Sequence, residues 1–567
     1  MIASIPPGWI LLIGGLLVPL IPRRARPVWL LALPIASGAH LLTLPLGFQV
    51  TASWLGIDLM PVRVDGLSLP FGVVFHLAAL LAVIYALHED DLVQQGSALV
   101  YSGAAVAAVF AGDLLTLFVY WELTAVASAL LVFAARTPRA RSAGLRYLVI
   151  QVASGAFLLA GAVLQWHRSG SLAFTPLSLG TLAGSLVFLG FGIKCAFPLL
   201  HSWVQDAYPE STATGTVFLS VFTTKLAVYA LARGYAGTPL LIGIGAVMTV
   251  FPIFYAVIEN DLRRVLAYSL INQLGFMVVG IGIGTAMALN GAVAYAFCNV
   301  LFEGLLFMAM GAVLYRTGTV KGSELGGLYK SMPWTTAFCI VGAAAISGFP
   351  LVNGFISKPL ILDAVADRHL LIAWFALVFA SAGVFHHAGI KIPFFAFFAH
   401  DSGVRCREAP FNMLLAMGAS AAVCIAIGIA PGLLYGLLPF PESYRPYAPS
   451  HVLAQTQLLF WAGLAFAWLV RSGIYPKEIP SVNLDADWTY RHVLPRSVRA
   501  GVARWQEARE SVAGYARRVW APVAKGVALG VGPDSAVART WATGTAVLWV
   551  VFFLALFLLV YHLRYLS

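Results

Sequence analysis

Long runs of apolar residues, separated by short polar stretches, recur along almost the whole chain. A helix needs about 20 apolar residues to cross the hydrocarbon core of a bilayer, and sixteen runs are interpreted in this way. We therefore predict an all-α polytopic membrane protein. Its predicted spans are residues 8–22, 28–47, 67–87, 96–111, 113–135, 144–165, 181–204, 211–232, 237–258, 265–284, 287–315, 335–362, 370–398, 410–437, 453–470 and 541–563.

The composition agrees with this pattern. Hydrophobic residues make up 60% of the 567 residues and charged residues 10%, whereas soluble domains carry about 25% charged residues. The net charge of +11 does not indicate a nucleic-acid-binding face, because the basic residues lie mostly in short loops and in one C-terminal block. The first apolar run lacks a basic leader and a small-residue cleavage site, so we interpret it as a retained helix.

The basic residues in the loops predict the orientation. One set of alternate loops holds 14 of them and the other holds five, and the richer set is expected to be cytoplasmic. Both termini are then expected outside. The richer set is Arg23, Arg24, Arg26, Arg136, Arg139, Arg141, Arg146, Arg263, Arg264, Arg316, Lys321, Lys330, Arg405 and Arg407.

Two predicted spans contain a proline near a lysine. Pro198 follows Lys194 in GIKCAFPLLHSW, and Pro350 precedes Lys358 in SGFPLVNGFISK. A proline inside a helix frees a backbone carbonyl, which membranes tolerate where the helix lines a polar cavity. Paired interrupted segments are typical of inverted-repeat transporters, although a proline can also serve only to kink a helix. We favour two inverted five-helix repeats with broken helices.

Five ionisable side chains lie within predicted spans, where each costs at least about 2.5 kcal/mol to insert. A buried lysine loses its proton more easily than an exposed one, and a nearby carboxylate holds it charged. A glutamate and a lysine on neighbouring helices therefore form a switch for proton transfer. The alternative is a static buried salt bridge, which is weak evidence for stability. The five residues are Glu122, Lys194, Lys225, Glu303 and Lys358.

Three further polar residues are candidates for a relay. His201 lies three residues beyond Pro198 and is a possible proton carrier. Tyr295 and Asn299 precede Glu303 by about two turns and one turn of the same helix, so the three side chains share a face. They either hold a water chain or merely pack.

Other polar residues are given structural interpretations. His386, His387 and Lys391 fall near a predicted helix end, where we expect them to snorkel to the membrane interface. Asp261 is expected to anchor the cytoplasmic entry of its helix.

The cysteines show no spacing typical of a disulfide framework or an iron–sulfur motif, and we expect no cofactor and no metal. They are Cys195, Cys298, Cys339, Cys406 and Cys424.

The stretch over residues 472–540 differs from everything before it. Between Arg491 and Lys525, eight basic residues accompany two glutamates. This pattern is typical of a basic amphipathic helix on a membrane surface, and the alternative is a disordered basic linker. The interleaved apolar residues are Val498, Val502, Trp505, Val512, Tyr515 and Trp520.

The predicted organisation has six parts. They are N-terminal helices over 1–95, a first repeat over 96–235, a second repeat over 236–400, peripheral helices over 401–471, the basic surface segment over 472–540, and a last span over 541–567.

Four sequence motifs carry a resemblance to a known family: DLLTLFVYWELTAVAS, IKCAFPLLHSWVQDAYPES, DLRRVLAYSLINQLGFM and ISGFPLVNGFISK. With them, residues 60–400 resemble the antiporter-like proton-translocating family of respiratory complex I, membrane-bound hydrogenases and Mrp-type cation/proton antiporters. The phrases ELGGLYKSMPWTT, HHAGIKIPFFAFFAHDSG and NLDADWTYRH make the chain most similar to the D-type subunit of the Mrp-type antiporters.

The resemblance implies roles for four residues. Glu122 and Lys194 would be the coupled pair of the first half-channel. Lys225 would pass protons toward the centre, and Lys358 would terminate the second half-channel. In the family the broken helices centre on these lysines.

The eleventh predicted span departs from the family pattern. Members usually carry an H-x-x-x-H-x-x-x-K run there, and this chain has Tyr295, Asn299 and Glu303. The glutamate reverses the charge in the middle of the expected path, so either protons pass through a carboxyl group or the coupling differs.

The C-terminal extension resembles the lateral helix of the distal pumping subunit of complex I, which implies that it clasps a neighbouring subunit.

The leading hypothesis is a proton-conducting subunit of a multisubunit Na+/K+–proton antiporter of the bacterial inner membrane. Such a subunit has other membrane subunits as partners, binds no nucleic acid and has no catalytic chemistry of its own. The alternatives are a pumping subunit of a complex I-like oxidoreductase or a hydrogenase, an energising subunit for inorganic-carbon uptake, and a bundle whose charges are inert.

Overall fold

The computed structural model describes residues 5–54, 56–476, 478–479, 483–533, 535, 538 and 542–565. The chain divides into two compact units, Met1–Ala486 and Asp487–Ser567. The predicted boundaries of the two repeats are not tested by this division and stay a prediction. Within the predicted surface segment and last span, residues 477, 480–482, 534, 536–537, 539–541 and 566–567 lie outside the described residues.

The first unit is built almost entirely from helices. Its α-helices are α1 Trp9–Leu16, α2 Arg26–Thr43, α3 Ser68–Ala86, α4 Leu92–Phe110, α5 Leu114–Phe133, α6 Pro138–Ser169, α7 Leu182–Lys194, α8 Ser202–Ala207, α9 Gly215–Val221, α10 Thr223–Gly234, α11 Leu240–Ile258, α12 Leu262–Ile283, α13 Ala286–Thr317, α14 Pro333–Ser347, α15 Asn353–Asp367, α16 Leu371–Val384, α17 Phe411–Ile429, α18 Gly432–Tyr435 and α19 Pro449–Arg471. Short 3₁₀ turns lie at Val18–Leu20 and Leu328–Lys330, and π-helical segments at Phe385–Lys391 and Phe394–Phe398.

The prediction of a polytopic helical membrane protein is confirmed. Twelve helices within the described residues are long and apolar enough to cross a membrane, and each coincides with one of the sixteen predicted spans. The other four predicted spans hold α1, α2 and the two broken helices, whose pieces are shorter or more polar. The central helices are α9–α10 and α12, where every residue of the most apolar window is buried.

Both prolines singled out in the sequence lie in true interruptions. The chain leaves the helix after Lys194 and re-enters it at Ser202, and Ala196 and Leu199 take left-handed backbone angles of φ 60° and 69°. The second interruption separates α14 from α15, with left-handed angles at Gly348 and Leu351. Non-glycine residues rarely adopt this conformation, so both breaks are built into the fold.

A small β-hairpin interrupts the helical architecture and was not predicted. Strand β1, Gln49–Trp54, pairs antiparallel with β2, Ile57–Arg63. Both segments fall between predicted spans. Three residues of β1 (Val50, Thr51 and Trp54) and two of β2 (Ile57 and Val62) are β-branched or aromatic, and such residues favour a pleated strand.

The second unit contains one long amphipathic helix and one apolar helix. A π-helical turn at Thr489–Val493 precedes α20, Leu494–Val531, and α21 spans Thr543–Tyr565. The 38 residues of α20 extend for about 57 Å at 1.5 Å per residue. The predicted basic helix is present, and it continues beyond Lys525 to Val531. Its contact with a membrane surface or another subunit stays a prediction.

Candidate functional site

Lys194 occupies the last position of α7, at the edge of the first break. Its side chain is fully buried. The ammonium donates hydrogen bonds to the Trp121 carbonyl at 2.7 Å and to the Thr124 hydroxyl at 2.8 Å, and it lies 4.3 Å from the centre of the Trp121 ring. A carbonyl, a hydroxyl and an aromatic face thus solvate a charge that has left water.

Glu122 is adjacent in sequence to the Trp121 partner of Lys194 but is not bonded to the lysine. Its side chain is half-buried, and its Oε1 atom is buried without a hydrogen-bond partner among the described residues. The carboxylate fits against Gly155 of α6, where an added Cβ would lie 1.4 Å from Oε1. The predicted pair is therefore brought together through Trp121, the residue next to Glu122, without a hydrogen-bonded salt bridge between the two side chains.

Two pairs of hydroxyl groups join neighbouring helices. Ser128 donates to the main-chain carbonyl of Thr124 at 2.5 Å, and its hydroxyl lies 2.8 Å from that of Tyr147. The hydroxyls of Thr223 and Tyr101 form the second pair, 2.5 Å apart. Hydroxyl groups both donate and accept, so each pair can pass a proton between its two oxygens. The pairs were not predicted from the sequence, because their residues lie on four separate helices.

Lys225 and Glu303 form the second charged group. Lys225 is fully buried on α10 and donates to the Ser220 carbonyl at 2.8 Å, next to the interruption between α9 and α10. Glu303 is fully buried on α13, and its Oε2 atom accepts a hydrogen bond from Asn299 at 3.2 Å. Helices α10 and α13 pack against each other. The residue that departs from the family pattern therefore lies on a helix next to the helix that carries Lys225.

Lys358 lies beside aromatic rings rather than beside a carboxylate. It follows the second break on α15, and its ammonium donates to the Ile346 carbonyl at 3.3 Å. The rings of Phe276 and Tyr295 are centred 5.1 Å and 5.7 Å from its Nζ atom. The Tyr295 hydroxyl donates to Gln273. Tyr295 and Asn299 therefore have different partners: the Tyr295 ring lies beside Lys358, and the Asn299 amide bonds to Glu303.

His201 lies at the start of α8, on the other side of the first break from Lys194. Its Nε2 atom is 3.2 Å from both carboxylate oxygens of Asp485. Burial raises the pKa of the Asp485 carboxyl, but the hydrogen bonds from the His201 ring and two further donors lower it more, so its pKa lies below the ordinary value. Asp485 was not predicted as a site residue. The only signal in the sequence was its place in NLDADWTYRH, one of the phrases typical of the family.

Lys391 contradicts the expectation of snorkelling. Its side chain is fully buried, and its ammonium lies 2.8 Å from Oε1 of Glu478. It also donates to three carbonyls at the end of α11, those of Ala256, Val257 and Glu259. The π-helical turn at Phe385–Lys391 points the lysine into the protein, which the α-helical period assumed from the sequence did not reveal.

Asp261 caps α12, as expected of an anchor at the helix entry. Its carboxylate accepts hydrogen bonds from the main-chain N–H groups of Arg263 and Arg264 at 2.9 Å and 3.1 Å. Within the described part of the chain, no group of three or more His, Cys, Asp or Glu side chains is placed to hold a metal ion.

Comparison with known proteins agrees with this architecture. Residues 111–384 match the family model described as NADH:quinone oxidoreductase/Mrp antiporter, transmembrane. The chain is 30% identical over 347 residues to the D subunit of the Na(+)/H(+) antiporter of Alkalihalophilus pseudofirmus, covering 57% of this chain and 70% of that protein. It is 27% identical over 423 residues to hydrogenase-4 component B of Escherichia coli, covering 66% of this chain and 63% of that protein.

A solved structure shares the fold. The Mrp complex from Dietzia sp. contains a chain that superposes with a TM-score of 0.78 at 22% identity, covering 92% of this chain and 62% of that chain. The present chain spans between 53% and 63% of the lengths of the first three curated relatives it matches.

Proposed function

This chain belongs to the NADH:quinone oxidoreductase/Mrp antiporter transmembrane family, and we propose that it conducts protons as a subunit of a multisubunit Na+/K+–proton antiporter. Its partners are other membrane subunits of the same assembly, and its location is a bacterial inner membrane. The relative from the Na(+)/H(+) antiporter, of which the chain covers 70%, favours the antiporter.

One observation carries this proposal: four fully buried ionisable side chains follow one another on the helices of a single bundle, with Glu122 half-buried beside the first. Each costs free energy to insert, so their retention in one row indicates a function. The four are Lys194, Lys225, Glu303 and Lys358.

The geometry around Lys194 supports a switch. A negative charge on Glu122 favours the ammonium form of Lys194, and protonation of Glu122 removes that support. Lys194 then releases a proton from Nζ, beside the Thr124 hydroxyl. Because Glu122 Oε1 has no hydrogen-bond partner among the described residues, a change in its charge breaks no bond to that atom.

The carboxyl group of Glu303 supports a second switch. In this pair the lysine, Lys225, precedes the glutamate along the chain, whereas in the first pair the glutamate comes first. The carboxylate favours the ammonium form of Lys225, and a proton on Glu303 lets Lys225 pass its own proton onward. A glutamate in place of the usual lysine thus keeps a titratable group at this position. Lys358 lies beyond it, next to the second break, and is the last carrier of the row.

A pumping subunit of a redox complex is the second candidate. The relative hydrogenase-4 component B matches over 423 residues, and the same row of charges would serve either assembly. The two differ in what drives the proton: a gradient of Na+ or K+ in the first case, and a redox reaction in partner subunits in the second.

Proton transport by the whole complex in vesicles tests the proposal. With a pH-sensitive dye, we expect an added Na+ or K+ gradient to drive proton movement, and Lys194→Ala to abolish it. Lys321→Ala is the matched control, because Lys321 is an exposed lysine paired with Glu324. Unchanged transport in Lys194→Ala would contradict the relay, and transport that requires a redox substrate would favour the second candidate.

A further inference from the structure

We propose that Asp485 is a positioning residue for proton exchange at His201, held in place by a strap of the chain's own residues. The strap is the part of the chain from Tyr475 to Ala486, of which residues 475–476, 478–479 and 483–486 are described. This inference rests on the proposed function and extends it to a residue outside the family-matched region 111–384.

The Asp485 carboxylate receives a set of donors from three elements. Besides His201, it accepts hydrogen bonds from the Gln205 amide and the Tyr268 hydroxyl, each at 2.8 Å, and from the Ala486 main-chain N–H at 2.6 Å. Its side chain is only 6% exposed. A buried carboxylate with this many donors is held ionised and in one orientation.

The arrangement fixes which nitrogen of His201 is free. Nε2 faces Asp485, whereas Nδ1 is buried without a hydrogen-bond partner among the described residues. The imidazole packs on the Phe251 ring, with the centroids 4.6 Å apart. A neutral ring that donates Nε2–H to the carboxylate keeps its Nδ1 lone pair available. His201 is therefore a proton acceptor aimed into the protein.

The proposed step is a proton exchange at Nδ1 of His201. A proton from water at the arginine-rich end of the bundle, where Arg146 pairs with Asp206 of α8, forms a new N–H bond on Nδ1. The positive ring is stabilised by the Asp485 carboxylate. The same proton then leaves Nδ1 for a neutral buried amine of the proposed relay, for which Lys194 is the candidate nearest in sequence, and the ring returns to its neutral form.

Buried anchors hold the strap on the bundle. Glu478, whose side chain is 5% exposed, is the carboxylate paired with Lys391. The Asn483 amide donates to Glu259 at 3.0 Å, and the Tyr475 ring stacks on His386 with the centroids 5.4 Å apart. These contacts hold the described residues of the strap against the bundle, and they place Asp485 on His201.

A double-mutant cycle in the whole complex tests this inference. Asp485→Asn removes the charge and keeps the size, and we expect it to lower the proton transport rate per assembled complex about tenfold, as expected for a lost hydrogen bond to a charged group. In a His201→Gln background the same change should have little further effect. The solvent deuterium isotope effect on the rate should rise in Asp485→Asn, because proton transfer at His201 becomes limiting.

The control is Asp401→Asn, which removes an exposed carboxylate paired with Lys330 and Arg405 and should leave the rate unchanged. If Asp485→Asn fails to assemble, Tyr268→Phe keeps the charge and removes one donor; it should show the same dependence on His201. Additive effects of the two substitutions, or an unchanged isotope effect, would overturn the inference. Loss of transport in Lys194→Ala with normal transport in Asp485→Asn would leave the proposed function intact and reject this inference alone.

Discussion

Lys194 donates a hydrogen bond to the main-chain carbonyl of Trp121 at 2.7 Å, and this contact, rather than a bond to a carboxylate, fixes the lysine at the break. The carbonyl cannot titrate, so it supports the ammonium at all times. The groups that can alter the proton affinity of Lys194 are Glu122, through its charge, and Thr124, through its hydroxyl. Substitutions at these contacts, at the Ser128–Tyr147 hydroxyl pair and at Lys391 therefore have distinct expected effects.

Thr124→Val should slow proton transport and Thr124→Ser should not. Valine has nearly the same shape but no hydroxyl, so Lys194 loses one of its two hydrogen bonds while buried. A hydrogen bond to a charged group is worth about 1.5–3 kcal/mol, so we expect a decrease of about tenfold or more. The measurement is dye-monitored proton uptake into vesicles, corrected for the amount of complex. Equal rates in the two variants would show that the hydroxyl plays no part.

Gly155→Ala should act on Glu122 without unfolding the bundle. The new methyl group would lie 1.4 Å from the end of the Glu122 side chain, which is flexible and can move, so we expect the carboxylate to be displaced and transport to fall severalfold. Gly243→Ala is the matched control, because a Cβ at that helical position meets nothing within 4 Å. Similar transport in the two variants would contradict a functional role for the position of Glu122.

Tyr147→Phe should remove one member of the Ser128–Tyr147 hydroxyl pair. The ring remains to pack against Trp203, and a side-chain hydrogen bond inside a membrane protein contributes only about 0.6 kcal/mol to stability on average. Because Ser128 bonds to the main chain of Thr124 beside Lys194, we expect normal assembly, measured by the yield of purified complex, together with a clearly reduced transport rate. Tyr235→Phe removes a buried hydroxyl that donates to a main-chain carbonyl outside this pair, and it should transport normally.

Lys391→Met should destabilise the protein, because Lys391 is a buried residue and not a charge at the membrane interface. It leaves Glu478 buried without its ionic partner, and breaking one side of a buried pair costs about 3–5 kcal/mol. The midpoint of thermal unfolding of the purified complex should fall, and the double change Lys391→Met with Glu478→Met should recover most of the loss. Lys330→Met removes an exposed ion pair worth about 1 kcal/mol or less. An effect of Lys391→Met no larger than this would restore the snorkelling interpretation.

The membrane character, the positions of the spans and the identity of the charges placed in them were all readable from the order of the residues. The thickness of the bilayer sets the number of apolar residues that a spanning helix needs. A lysine or glutamate inside an apolar run of that length can be identified without a structure. The two breaks were also predictable, because in each a proline, which removes a backbone donor, lies near a lysine inside an apolar run. The family motifs that contain Lys194 and Lys358 include these breaks, and the motif that contains Glu122 lies in the fifth predicted span.

The groups that these charges meet depend on the packing of the helices. Lys194 pairs with a carbonyl and a hydroxyl instead of Glu122, since hydrogen-bond partners depend on how α5 and α7 pack. Lys391 is buried because a π-helical turn changes the direction of its side chain, and sequence periodicity assumes a regular α-helix. Asp485 reaches His201 across 284 residues of chain. Such long-range contacts depend on the whole fold, and nothing in the local pattern of polar and apolar residues specifies them.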